Sequence, residues 1–161
     1  MKELYEKISS YNIFNYLFPG ILFVILSKVL VGYNLTINSD FLGAFLYYFI
    51  GMVISRFGSI VIEPLLKKGG LLKFEPYKNF VEASKKDVKI EILSEVNNTY
   101  RTLVSMLLLL LFFKLYVVLN KKYKFSNDTW FLVLVVLMLV IFIFSYIKQT
   151  GYIAKRIKAN N

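Results

Sequence analysis

The sequence predicts an all-α membrane protein with four transmembrane helices and both termini on the cytoplasmic side. A helical cytoplasmic connector joins helices two and three. Three observations predict this. Of 161 residues, 57% are hydrophobic and only 19% are charged, more apolar surface than a small water-soluble domain can bury. The apolar residues are gathered into four long runs. Basic residues, the source of the net charge of +10, crowd the segments on one side of those runs.

The chain begins with an expected interfacial segment, residues 1–12, holding two lysines and two glutamates among tyrosines suited to the headgroup layer. No small-residue cleavage site follows the first run, so it reads as a retained helix rather than a signal peptide. That run, residues 13–31, contains a single charge, Lys28. Pro19-Gly20 in its first third removes a backbone hydrogen bond and a side chain. Together with Asn15 they are candidates for a pore or gate, or mark where an interfacial segment turns into the span.

The second run, residues 41–62, carries only Arg56. A charge inside a membrane is costly and faces a bundle interior, a partner or water. Arg56 is therefore a candidate pore or anion-binding residue, or it snorkels to inner-leaflet phosphate, paired with Glu63 seven positions later. Gly51, Ser55 and Ser59 form a stripe of small residues that allows close helix approach in lipid, either within a subunit or between subunits.

Residues 63–102 are too long for a passive turn; they are expected to open with a basic, flexible piece, LLKKGGLLKFEP, and then to be helical. Pro76 suits a first helical turn. Tyr77, Val81, Ser84, Val88, Ile92 and Val96 recur at helical spacing. Ser84 with Asp87 resembles a capping box, predicting a helix from near Ser84 that continues into the third run, residues 103–119. Lys114 in that run is expected to snorkel. The fourth run, residues 130–147, is uncharged and is expected to face lipid over much of its surface. The chain closes on a basic tail, residues 148–161.

Each run approaches the ~20 residues needed to cross ~30 Å of hydrocarbon, and helices satisfy the backbone there. With the N-terminus inside, the cytoplasmic segments hold 14 basic residues and the outer loops hold 3. The positive-inside rule fixes the orientation as N-in and C-in. Anionic lipid can account for most of this charge.

Chemistry is narrowly bounded. The chain has no cysteine and no histidine, which excludes thiol nucleophiles, disulfides, Cys/His zinc sites and imidazole catalysis. No phosphate loop, nucleophile elbow or zinc-protease motif occurs. No enzymatic activity, metal or cofactor is expected. The polar cluster Lys85, Lys86, Lys89, Asn97, Asn98, Tyr100 and Arg101, joined by Lys155 and Arg156 of the tail, is a candidate surface for an anionic ligand. Lysine and arginine neutralise phosphate, asparagine reads base or sugar edges, and tyrosine stacks.

The stretches YNIFNYLFPGILF, FLYYFIGMVISRFGSIVIEPLLKK, ASKKDVKIEILSEVNNTYRT and FSYIKQTGYIAKRIKAN together resemble small four-helix membrane effectors of bacterial anti-phage defence islands, of the Hailong type. That resemblance implies a homo-oligomeric ion channel held closed by single-stranded DNA oligomers. It also implies a nucleotidyltransferase as operon partner. Two rivals stand beside it. One is a non-conducting membrane scaffold for a cytoplasmic partner. The other is a lipid-carrying or lipid-modifying protein dependent on acids such as Glu63 or Asp128.

Overall fold

A computed structural model describes residues 10–123 and 127–160. Among them every regular element is helical. The helices are α1 (Ile13–Val31) and α2 (Asp40–Lys68), α3 (Tyr77–Lys86), α4 (Lys89–Tyr123) and α5 (Asn127–Asn160). All but α3 are long and apolar enough to cross a membrane. Residues 1–9 of the expected interfacial segment lie outside the described residues, as does the side chain of Asp128.

Both α1 and α2 contain a π-helical turn just ahead of a proline. In α1 the turn covers Ile13–Leu17, and the Phe18 N–H donates to the Ile13 carbonyl; Pro19 follows. In α2 it covers Gly58–Ile62, and the Glu63 N–H donates to the Gly58 carbonyl; Pro64 follows. A wide turn accommodates a residue that lacks an N–H and whose ring crowds the preceding turn. Pro19 is thus taken up within a helix that runs on through Leu26.

α1 and α2 meet at a reciprocal glycine contact. A methyl group on Gly20 would overlap the Tyr47 carbonyl oxygen, and one on Gly51 would overlap the Tyr16 carbonyl oxygen. Gly58 makes the equivalent approach to α4, where a methyl group would overlap the Ser105 hydroxyl. In lipid, such close backbone packing is what holds helices together. The stripe Gly51, Ser55 and Ser59 therefore serves contacts inside the subunit. The apolar core adds Val31, Ile54, Met106 and Leu110, packed between α1, α2 and α4.

The connector differs from its sequence reading in one respect. Pro76 precedes α3 as expected, but the helical face breaks at Asp87-Val88. The Ser84 hydroxyl turns back to the Val81 carbonyl, and Asp87 Oδ1 instead accepts the Lys89 N–H at 2.9 Å. Asp87 is therefore the cap, and the long helix starts at Lys89 rather than near Ser84. From there α4 runs without interruption to Tyr123.

α5 is the loosest member. Its apolar residues, among them Phe131, Leu132 and Tyr146, are largely uncovered, a surface that water would not tolerate and lipid does. It touches the bundle through Phe142 on Phe49 and Trp130 on Tyr116. Beyond Ile147 it packs against α3, with Tyr77 and Tyr152 ring centroids 5.7 Å apart.

Candidate functional site

The polar side chains of α1, α2, α4 and α5 gather at one end of the bundle, where the connector joins it. The innermost layer is a buried triad. Asn15 Nδ2 donates to Ser55 Oγ at 3.2 Å, and the Thr102 hydroxyl donates to Asn15 Oδ1 at 2.7 Å. Thr102 Oγ1 also lies 2.9 Å from the Asn98 carbonyl and 3.2 Å from Ser55 Oγ. Asn15 and Thr102 are wholly buried. The triad satisfies its own polar groups and ties three helices together, as buried polar groups in lipid must.

Beside the triad lies an aromatic layer. Asn15 Nδ2 also donates to the Tyr11 hydroxyl at 3.1 Å. Burial raises the Tyr11 phenol above its usual range, and neighbouring Tyr16 raises it further, so it stays protonated. Arg56 Nη2 donates to the Tyr16 hydroxyl at 3.1 Å. This corrects the expected Arg56–Glu63 pair. The π-helical turn at Gly58–Ile62 lies between the two residues and shifts the helical phase by about one residue, so positions seven apart no longer share a face.

Glu63 heads the outer layer. It is 5% exposed and accepts from three cations on three helical segments. Arg101 Nη1 is 2.8 Å from Oε2, Lys67 Nζ 3.0 Å from Oε1 and Lys148 Nζ 3.3 Å from Oε1. Lys148 Nζ also donates to the Ser59 carbonyl at 2.6 Å and to Ser59 Oγ at 2.8 Å. That carbonyl needs an outside donor. The Glu63 N–H is already given to Gly58, and Pro64, next in line, has no N–H to give.

The predicted residues fall into three groups. Asn15, Pro19 and Gly20 are buried where α1 packs on α2, and Arg56 sits beside them on Tyr16. Arg101 joins the Glu63 cluster. Lys85, Lys86 and Lys89 are exposed around the bend between α3 and α4, Asn97 and Tyr100 are exposed along α4, and Lys155 and Arg156 are exposed on α5. Asn98 contributes its carbonyl to Thr102. Lys114 does not simply reach for headgroups, because its Nζ donates to the Leu30 carbonyl at 2.9 Å.

Sequence reasoning passed over Thr102, Lys67 and Lys148, and it placed Ser55 only as a small residue. Their common signal is position. Glu63 directly follows the second apolar run, Arg101 and Thr102 directly precede the third, and Lys148 directly follows the fourth.

Fold and site together define a multi-pass helical membrane protein with a polar, cation-rich junction at one end of its bundle. Comparison with protein-family models, curated proteins and solved structures returned no match.

Proposed function

We infer that the chain is the subunit of a homo-oligomeric channel in the bacterial inner membrane, gated from a cytoplasmic face and acting as an anti-phage effector. The unbroken α4 carries this conclusion. Its 35 residues extend about 52 Å against ~30 Å of hydrocarbon, so one rod joins the connector to the membrane interior. α5 likewise continues past its apolar run, and α3 packs against both. Displacement of this three-helix head reaches two spans with no flexible joint between.

A single copy fills the space between α1, α2 and α4 with packed side chains. A conducting path therefore belongs between copies, in a ring of closed cyclic symmetry. The exposed cations of the head are suited to a nucleotide or single-stranded oligonucleotide, supplied by a nucleotidyltransferase partner. Such a ligand keeps the channel in one state only by binding that state more tightly. The excess of basic residues on the head side supports placing it, and both termini, in the cytoplasm.

Ion flux through liposomes holding the purified protein tests this, with and without short single-stranded DNA or cyclic nucleotides. Ligand-dependent flux, with a weaker response when Lys85, Lys86 and Lys89 are together changed to alanine, is the expected result. No flux from protein that is folded and oligomeric would overturn the channel and leave a membrane scaffold for a cytoplasmic partner.

A further inference from the structure

The Glu63 cluster is unbalanced. Three cations surround one carboxylate, leaving an excess of two positive charges at a partly buried place. Among the described residues no second carboxylate joins it. The carboxylate already accepts from all three, Oε1 from Lys67 and Lys148 and Oε2 from Arg101. Lys148 is saturated, since its three N–H groups meet Glu63 Oε1, Ser59 Oγ and the Ser59 carbonyl.

Two cations retain donors. Arg101 commits Nη1 to Glu63, while its buried Nε has no hydrogen-bond partner. A buried N–H of a charged group without an acceptor is costly and rare. Lys67 is 40% exposed, and its ammonium is held 3.9 Å above the Phe74 ring, which limits its wandering. The outward part of the Arg101 guanidinium, whose side chain is 19% exposed, and the tethered ammonium match the oxygens of a phosphate, which accepts several charge-assisted hydrogen bonds at once.

The level of the cluster identifies the source of that phosphate. Three apolar runs stop at it: the second ends at Ile62, the third starts at Leu103, and the fourth ends at Ile147. In a bilayer the headgroup phosphates lie where the apolar runs end. We propose that Arg101 and Lys67 form a binding site for the phosphate of an anionic phospholipid headgroup, with Glu63 holding Arg101 in place. The site does not depend on conduction and stands whether or not the protein is a channel.

Native mass spectrometry of the full chain in detergent tests it, using phosphatidylglycerol and phosphatidylcholine of identical acyl chains. The wild-type chain should retain phosphatidylglycerol in preference to phosphatidylcholine. Lys67→Gln, at a half-open helix end, and Arg101→Gln should each lower that retention about fivefold, the worth of one basic residue near an anionic headgroup. Circular dichroism checks the fold of each variant; if Arg101→Gln fails to fold, Lys67→Gln decides alone. Equal retention of both lipids, or wild-type retention in folded Lys67→Gln, overturns the site. Displacement of phosphatidylglycerol by millimolar ATP or inorganic phosphate overturns the lipid source in favour of a soluble phosphate.

Discussion

Arg101 on α4 and Glu63 in the last turns of α2 meet at 2.8 Å, although they stand 38 positions apart in the chain. This contact sets the junction between the membrane helices and the head. Glu63→Ala leaves Arg101, Lys67 and Lys148 without their counter-charge in a place that is partly closed to water. Removing one side of a buried ion cluster costs about 3–5 kcal/mol. Thermal unfolding in detergent should show Glu63→Ala to be much less stable than Lys67→Ala, whose side chain is 40% exposed. Equal effects would mean that the cluster is only a solvated surface.

The reciprocal glycine contact gives a sharper steric test. In Gly51→Ala the added methyl meets the Tyr16 backbone, which cannot rotate aside, so α1 and α2 must separate. Overpacking of this kind costs about 1–3 kcal/mol. Gly151→Ala is the control, because nothing lies within 4 Å of the position and alanine is the better helix former. Unfolding temperatures should fall for the first variant and hold or rise for the second.

Thr102→Val replaces a hydroxyl by a methyl and leaves Asn15 Oδ1 without its 2.7 Å donor. Interhelical hydrogen bonds in membranes are worth about 0.6 kcal/mol and at most ~1.7. The loss should therefore be small, and Asn15→Ala combined with Thr102→Val should cost less than the two single changes added. A double-mutant cycle measures this directly.

Asp87→Ala removes the acceptor of the Lys89 N–H. Loss of a helix cap costs about 1 kcal/mol. Hydrogen exchange should quicken over the first turns of α4 and stay unchanged around Thr102, where the triad holds the helix. Faster exchange through Thr102 would show that α4 does not act as one rod.

The spans were legible because lipid imposes long apolar runs, and the runs at residues 41–62, 103–119 and 130–147 all lie inside helices of the structure. The start of α4 was misplaced because Ser84 and Asp87 have capping-box spacing, while their side chains take other partners. Arg56 and Glu63 were paired on the assumption of 3.6 residues per turn, which the wide turn at Gly58–Ile62 breaks. Pro64, the sequence mark of that turn, went unused, although Pro19 marks its counterpart in α1. The Glu63 cluster was illegible as a unit. Its members come from positions 63, 67, 101 and 148, and only the packing of three helices brings them together.

α5 is fastened to the rest of the bundle by few specific contacts, and Lys148 is the one that combines an ion pair with a carbonyl that no backbone N–H can reach. Its middle therefore places little demand on residue identity beyond being apolar. Substitution along residues 131–141 by any leucine-like side chain should pass unnoticed, whereas position 148 accepts only a long cation. In a library of variants the helix would read as nearly blank, with one fixed letter at the level where three helices leave the oil.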